Sequence, residues 1–262
     1  MRLLLLVLLV TAHAWADSPL DALSHLSRST HWTIVQTIPL HFPAFHPQGL
    51  VRHQDHFYLT SVDTQAHQGH LFVFDSTGQL QTDVPLGRGD DYHPGGIDCD
   101  GQALWVPVAE YRPDSHALIY RVDLRTLRPE LQFEVNDHVG ALSCVNHQLQ
   151  GATWGSRRFF TWTVKGHLLS QVDNRSHYID FQDCKHVEGP WTLCSGLSET
   201  IEGLEVVNLR TGERLIQVPM TLKTPADVPM LRNPMTWEWT GDRLRLYVVP
   251  EDDASTLYVL EP

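Results

Sequence analysis

Three histidines, an aspartate and an asparagine recur at long and similar intervals along the chain. His46, His93, His138, Asp180 and Asn233 are separated by 47, 45, 42 and 53 residues. If the fold brings the three imidazoles and the Asp180 carboxylate together, they could bind a divalent cation: Zn²⁺ or Mn²⁺ on the nitrogen ligands, or Ca²⁺ on nearby oxygens. The alternative is that these histidines hydrogen-bond neighbouring backbone and hold repeated units in register.

The stretch HPGGIDCDGQALWVPVAEY contains two candidates for acid–base catalysis. His93 opens it, and Glu110 follows its second apolar run. An imidazole titrates near neutral pH, and a carboxylate serves as acid or base when its surroundings shift its pKa. We therefore predict His93 and Glu110 as catalytic residues, with a plain turn at HPGG as the alternative.

Arginines, an aromatic ring and further polar residues form another candidate set. Arg157 and Arg158 stand beside Trp154 in TWGSRRF, and Arg112 lies in an earlier loop. Guanidinium groups bind carboxylate, phosphate or sulfate, and an indole stacks on a ring. The set predicts a site for a small polar, anionic ligand, and pairing of the arginines with the chain's own acids is the alternative. The same predicted site includes Gln48, Asp63, Asp137, Asp183, Glu251, Asp252 and Asp253.

An internal repeat supplies the elements that would position these residues. Five segments begin near the five recurring positions, and each has a first strand, a polar turn and a second strand. A third strand follows in every copy, as HLFVFDS, ALIYRVD, RFFTWTV, GLEVVNL and TLYVLEP. Four copies continue into a fourth strand, as QLQTDVPL, PELQFEV, HLLSQVD and ERLIQVPM. Four short strands in each repeat of this length are typical of a propeller blade.

The missing fourth strand of the last copy is available near the start of the chain. WTIVQTIPL, residues 32–40, has the same pattern. We predict an all-β protein: a five-bladed β-propeller closed by pairing of strand 32–40 with the C-terminal blade. A β-sandwich or barrel is the alternative, although neither has such a long repeat. The candidate residues should then share one end of the central channel.

The first residues are typical of a secretory signal peptide. Arg2, the apolar run 3–10 and Ala14-Trp15-Ala16 match its three regions. The run is shorter than the roughly 20 apolar residues of a membrane span, and a retained anchor is the alternative. We predict a signal peptide at 1–16, one propeller domain at 17–262, and a periplasmic or secreted protein without a membrane span after cleavage.

Charge and motif content argue against several functions. The chain has 31 acidic against 19 basic residues, a net charge of −12, which disfavours binding to nucleic acid or anionic lipid. The sequence has no GxSxG, Walker or dinucleotide fingerprint. Enzymes that depend on those motifs are therefore not indicated.

The four cysteines suggest one disulfide. Cys184 and Cys194 lie symmetrically about a turn at residues 188–189, so they should face each other across an antiparallel pair and bond in an oxidising compartment. Cys99 and Cys144 occupy matching places in neighbouring first strands, and they are either bridged or buried small residues.

Several segments resemble a known family. HPGGIDCDGQALWVPVAEYRPDS, TWGSRRFFTW and PEDDASTLYV look like signatures of a secreted bacterial and fungal family catalogued as a domain of unknown function. The resemblance covers nearly all of the mature chain and implies a propeller-like fold without an activity. The turn Gln48-Gly49-Leu50 is similar to one in plant-type glutaminyl cyclotransferases, also five-bladed, with Val51 where that family has an acidic residue.

Three functions remain open on these residues. One is an exported module that binds a small polar, anionic ligand at the channel mouth, with or without a divalent metal. Another is a metal-assisted lyase or hydrolase, or a cyclotransferase-like enzyme, with His93 or Glu110 as base and the arginines clamping an anion. The third is a non-catalytic scaffold for a protein partner.

Overall fold

The computed structural model describes residues 18–262, and the predicted signal peptide lies outside the described residues. A short helix α1, Pro19–Ser24, comes first. Ser18 caps it by accepting a hydrogen bond from the Asp21 N–H at 3.2 Å, as is common at helix N-termini. Between Ser18 and Pro262, no helix is long and apolar enough to cross a bilayer.

The rest of the described chain consists mainly of short strands in five sheets. The first strand is β1, Thr33–Pro39. Blade 1 contains β2 His46–His53, β3 His56–Asp63, β4 Gln68–Asp75 and β5 Leu80–Leu86. Blade 2 contains β6 Asp91–Pro94, β7 Asp98–Cys99, β8 Ala103–Glu110, β9 Ala117–Asp123 and β10 Pro129–Val135.

The remaining blades repeat this plan. Blade 3 contains β11 Val139–Val145, β12 Gln148–Thr153, β13 Arg158–Thr163 and β14 Leu168–Asp173, with a 3₁₀ turn at Trp154–Ser156. Blade 4 contains β15 Asp180–Glu188, β16 Trp191–Leu197, β17 Glu202–Asn208 and β18 Glu213–Pro219. Blade 5 contains β19 Met235–Trp239, β20 Leu244–Val248 and β21 Thr256–Glu261.

Blade 5 is completed by the N-terminal strand. β1 pairs antiparallel with β21, with Ile38 opposite Leu257 and Thr33 opposite Glu261. The order of that sheet is β1-β21-β20-β19, so β1 is its outermost strand. The prediction of a five-bladed β-propeller closed by strand 32–40 is confirmed.

Alternation of side chains along each strand packs one blade against both neighbours. In β8, Leu104 and Val106 belong to an apolar cluster with blade 1, whereas Trp105 and Ala109 belong to a cluster with blade 3. Because a central strand is covered on both faces, it is apolar at almost every position. This explains the unbroken run ALWVPVA in the sequence.

Most innermost strands contain an irregularity close to their first residue. Register shifts occur between Pro47 and Gly49 in β2, Asp91 and His93 in β6, Val139 and Ala141 in β11, and Phe181 and Asp183 in β15. A β-bulge changes the direction in which the neighbouring side chains point. The bulges therefore decide which polar side chains reach the end of the ring axis.

The HPGG segment is the turn that divides the innermost strand of blade 2 into β6 and β7. The Gly96 N–H donates to the Gly140 carbonyl at 2.9 Å. A Cβ on Gly95 would lie 2.2 Å from the same carbonyl oxygen, and one on Gly96 would lie 2.7 Å from the Asp183 carboxylate. Glycines are required here because neighbouring innermost strands approach so closely.

The predicted disulfide is confirmed. Cys184 in β15 is paired in register with Cys194 in β16, and a disulfide joins them with a Cα–Cα distance of 4.1 Å. Cys99 and Cys144 are free. Burial raises the pKa of Cys99 to about 11 and that of Cys144 to about 12. Both thiols therefore stay protonated and unreactive near neutral pH.

Candidate functional site

The starts of four innermost strands surround a cavity of about 160 Å³ at one end of the ring axis. His46 begins β2, His93 lies in β6, His138 directly precedes β11, and Asp180 begins β15. We call this space the mouth cavity; its wall also includes Gln48, Tyr111 and Trp154. The repeat thus brings together four polar residues that lie up to 134 positions apart in the sequence.

His93 is a buried histidine of the mouth cavity, and one of its ring nitrogens has no partner in the described part of the chain. Its side chain is buried, and Nε2 lies 3.2 Å from Oε1 of Gln48, whereas Nδ1 has no hydrogen-bond partner among residues 18–262. Burial, together with the nearby His138 and His46, holds its pKa well below the usual range. The ring is therefore neutral at physiological pH and, with Nε2 donating to Gln48, carries an acceptor lone pair on Nδ1.

His138 is also neutral, and its orientation is fixed. Its Nδ1 donates to the Arg112 carbonyl at 2.9 Å, with the Ser115 hydroxyl at 3.2 Å. The ring is 1% exposed, and burial lowers its pKa to about 4. Since Nδ1 carries the proton, Nε2 is the acceptor nitrogen of this ring.

His46, also in the cavity wall, belongs to a hydrogen-bonded network with Asp252, Arg232 and Asn233. Its Nδ1 lies 2.8 Å from Asp252, which also accepts a bond from Arg232 at 2.6 Å. Asn233 donates to the same carboxylate at 3.2 Å and to the Pro250 carbonyl at 3.0 Å. Burial alone would raise the pKa of Asp252, but the bonds from His46 and Arg232 lower it to about 2. Asp252 is consequently an anion that holds the His46 ring in place.

Aromatic faces form the rest of the wall. The Tyr111 ring lies 4.4 Å from His93, edge to face, and 6.0 Å from Trp154 between centroids. Trp154 packs edge to face on His138 at 4.7 Å. Tyr111 is 42% exposed although it is a large apolar side chain. Exposed and buried aromatic surfaces at one small cavity could stack on a ligand ring.

Asp180 completes the polar wall on the blade 4 side. Its Oδ1 accepts a hydrogen bond from the Ser156 hydroxyl at 3.0 Å, and that hydroxyl accepts one from the Phe181 N–H at 2.6 Å. Burial raises the pKa of Asp180, opposed by the Ser156 bond and by the charge of Arg157. The carboxyl is therefore easier to protonate than an exposed one.

Glu110, predicted as a catalytic base, is paired with an arginine. Arg112 binds its carboxylate with two hydrogen bonds, 2.5 and 2.8 Å long, and the Arg112 hydrogen bond lowers the pKa of Glu110. The next residue, Tyr111, reaches the mouth cavity, whereas Glu110 is not part of its wall. A lowered pKa and a bidentate partner make this carboxylate a weak base.

The three predicted arginines have different partners. Arg112 binds Glu110, and Arg158 forms an ion pair with Asp137, which also accepts the His138 N–H at 2.9 Å. Arg157 is exposed and has no ion pair within residues 18–262. Its charge acts on both His138 and Asp180, so it stands beside the mouth cavity. It is the arginine best placed to receive an anion.

Other predicted acids lie outside the wall of the mouth cavity. Asp63 accepts hydrogen bonds from two N–H groups of its own turn at 2.9 Å, and Glu251 accepts one from the Tyr258 hydroxyl at 2.8 Å. A second cavity of about 240 Å³ is lined by Asp63, Asp252, the exposed Asp253 and His46. Asp63, Asp252 and Asp253 therefore border a second space that shares His46 with the mouth cavity.

Asp183 lies inside the ring. It is fully buried and accepts hydrogen bonds from the N–H groups of Leu50 at 2.8 Å and Ile97 at 3.1 Å, and from Lys185. Because those donors belong to three different blades, Asp183 ties innermost strands together. The bulge at Phe181/Asp183 explains the difference from the prediction, since it turns this side chain towards the axis.

The predicted metal ligands share one cavity but do not form a compact set of three ligand atoms. Within residues 18–262, the group of three His, Cys, Asp or Glu side chains with ligand atoms less than 4.8 Å apart is Asp91, Glu110 and His116. Binding of a metal by His46, His93, His138 and Asp180 stays a prediction.

Sequence reasoning missed Tyr111 and His116. Both lie in the loop between β8 and β9, the second and third strands of blade 2. The repeat places that loop on the same face as the HPGG turn. The position of the two residues within the blade could therefore have identified them as candidates. Their side-chain directions were not readable from the pattern.

Comparison with known proteins agrees with this architecture. A model described as a family of unknown function, DUF6454, matches residues 5–262. The crystal structure of Myxococcus xanthus glutaminyl cyclase is similar with a TM-score of 0.61 and 16% identity, over 88% of this chain and 96% of that chain. A glucose dehydrogenase has a TM-score of 0.51 and 9% identity, over 89% and 99%. No curated protein matches the sequence. At these identities the structural likeness shows the fold alone.

Proposed function

The chain belongs to DUF6454, a family of unknown function, and we propose that it binds a small polar ligand with an anionic group in the mouth cavity. The observation that carries this proposal is the state of His93. A buried polar atom without a partner costs free energy unless a ligand satisfies it, and Nδ1 of His93 is such an atom in a cavity wall.

The wall suggests how the ligand would lie. Tyr111 and Trp154 offer ring faces, and the neutral His93 offers a nitrogen that accepts a hydrogen bond from a hydroxyl or amide of the ligand. The volume of about 160 Å³ suits a small molecule or one end of a larger one. The body of the ligand would therefore rest between the aromatic side chains, with a donor group directed at His93.

Arg157 would receive the anionic group. Arg112 and Arg158 are already neutralised by Glu110 and Asp137, whereas Arg157 is exposed beside the cavity. A guanidinium with free N–H groups binds a carboxylate or phosphate in a bidentate fashion.

Thermal shift assays with a panel of small carboxylates and sugar phosphates test this proposal. A ligand at about 100 times its Kd should stabilise the fold by about 2.7 kcal/mol. Arg157→Gln should weaken binding at least tenfold, since it removes the charge while the cavity remains. Arg125→Gln is the matched control, because Arg125 is exposed on the turn between β9 and β10, at the other end of the ring. Equal binding by the two variants, or no stabilisation by any panel member, would contradict the proposal.

A catalytic role at the same cavity is the second candidate, favoured by the neutral state of His93. An unprotonated imidazole at pH 7 can accept a proton from a bound substrate. The glutaminyl cyclase of Myxococcus xanthus shares the fold, so loss of ammonia from a peptide with an N-terminal glutamine is the reaction to assay. Val51 is buried in an apolar cluster and supplies no acid to that reaction. Activity lost in His93→Gln, which keeps a side-chain amide for Gln48, would support this role.

We also infer that the chain is exported. The Cys184–Cys194 disulfide supports an oxidising compartment. The net charge of −12 supports a small-molecule partner in preference to nucleic acid.

A further inference from the structure

Three side chains of blade 2 meet outside the mouth cavity. Asp91 comes from β6, Glu110 ends β8, and His116 directly precedes β9. The His116 ring lies between the two carboxylates: Nε2 is 3.0 Å from Asp91 Oδ1, and Nδ1 is 3.4 Å from Glu110 Oε1. One ligand atom of each residue lies within 4.8 Å of the other two.

The buried Asp91 carboxylate is only partly satisfied by the other side chains of this group. Asp91 is 6% exposed, and its Oδ1 is buried; the closest donor in residues 18–262, His116 Nε2 at 3.0 Å, is not aligned for a hydrogen bond with it. The hydrogen bond from His116 Nε2 goes to the other oxygen, Oδ2, at 3.2 Å. A buried carboxylate oxygen without an aligned donor is costly, and a cation bound to it would reduce that cost.

We propose that Asp91, Glu110 and His116 bind a divalent transition metal ion, Zn²⁺ or Mn²⁺. One imidazole nitrogen and two carboxylate oxygens are ligands of the kind these ions take, whereas Ca²⁺ prefers oxygens alone. Ligand atoms about 2.1 Å from a tetrahedral ion are about 3.4 Å apart. The ligand atoms of the present group lie up to 4.8 Å apart, so binding would draw them together by up to about 1.4 Å.

Glu110 can take part without losing its arginine. Arg112 Nε binds Oε2 at 2.5 Å, and its terminal nitrogen binds Oε1 at 2.8 Å. The Arg112 side chain is 58% exposed, so it can keep Oε2 and release Oε1 to the ion. The three ligands lie on or beside strands of a single blade, which is a rigid support for a metal site.

The metal would also stabilise the cavity wall. The loop from Glu110 to His116 carries Tyr111, which faces the mouth cavity, and Arg112, whose carbonyl accepts the His138 Nδ1–H. An ion bound at both ends of this loop would hold it in place. The metal site is distinct from the imidazole set predicted from the sequence.

Calorimetric titration of metal-stripped, folded protein with ZnCl₂ and with MnCl₂ at pH 7.5 tests the proposal. The wild type should bind one equivalent of at least one ion. His116→Ala and Glu110→Gln should each weaken binding at least tenfold, because each removes a direct ligand. His56→Ala, at an exposed histidine that begins β3, is the matched control and should bind like the wild type.

His46→Ala separates this site from the mouth cavity. Retained binding in His46→Ala with loss in His116→Ala supports the proposal. Unchanged affinity in His116→Ala, loss in His46→Ala instead, or no binding by the wild type overturns it. Circular dichroism of each metal-free variant checks that the propeller is folded. Ligand binding through Arg157 is measured separately, so failure of either proposal leaves the other to be judged by its own assay.

Discussion

Lys185 and Asp183 form an ion pair in the interior of the ring. Their side chains are 4% and 0% exposed. Besides Asp183, the Lys185 ammonium donates to the Ile97 carbonyl at 2.6 Å, so the pair joins blades 4 and 2. Desolvation of two charges is expensive, and it is compensated only while each keeps its partners. The ion pair is therefore a polar tie between the innermost strands of two blades.

Lys185→Met should destabilise the protein by about 3–5 kcal/mol, because it leaves the Asp183 carboxylate buried without its cation. Urea unfolding at pH 7 measures the loss. Lys223→Met is the matched control: Lys223 pairs with Asp227 on the surface, with the two side chains 46% and 85% exposed. The control should lie within about 1 kcal/mol of the wild type. Equal losses in the two variants would show that the interior pair has no special role.

At the scale of elements, close approach of innermost strands depends on the glycines of HPGG. Gly95 has no room for a Cβ, which would lie 2.2 Å from the Gly140 carbonyl oxygen. Gly140 itself has room for a Cβ, because the atom nearest to one would be 3.9 Å away. Its backbone conformation is also one that other residues can adopt. Of these two neighbouring glycines, Gly140 should tolerate substitution by alanine and Gly95 should not.

Gly95→Ala should therefore cost about 1–3 kcal/mol or more, since backbone of two blades must separate. Gly140→Ala should be neutral or slightly stabilising, by up to about 1 kcal/mol, because alanine reduces the entropy of the unfolded chain. Thermal unfolding of the two variants side by side measures the difference. A loss of stability in Gly140→Ala equal to that in Gly95→Ala would contradict this account of the turn.

The elements themselves could be predicted from the sequence because the blade repeats. Turn residues and β-rich runs recur at similar intervals, which allowed prediction of the strands, the ring closure and the pairing of Cys184 with Cys194. The same spacing brought His46, His93 and His138 to one cavity. The repeat pattern gives the position of each residue within its blade, so this position could be predicted from the sequence.

Side-chain direction and pairing could not be predicted in the same way. A β-bulge reverses the alternation of side chains along a strand. The residue types of these strands do not show where a bulge will occur. Asp183 therefore points inward. The bond between Glu110 and Arg112 depends on the path of a loop, as does the presence of Tyr111 in the cavity wall.

At the scale of the whole molecule, the two ends of the described chain hold the ring together. Ile38 of β1 is 7% exposed and belongs to one apolar cluster with Phe57 and Phe74 of blade 1 and with Tyr247 and Leu257 of blade 5. The N-terminal strand thus both completes blade 5 and packs against blade 1. A mouth cavity built from four blades persists only while the ring is closed.

Ile38→Ala should lower the free energy of unfolding by about 2–4 kcal/mol, because it leaves a cavity where the ring closes. Val35→Ala is the matched control on the same strand, since Val35 is 45% exposed, and it should change stability by no more than about 0.5 kcal/mol. If closure couples all five blades, tryptophan fluorescence and far-UV circular dichroism should report one transition at a lower urea midpoint. An early transition confined to one probe, with the main midpoint unchanged, would mean that blade 5 opens alone and that the other four blades do not depend on β1.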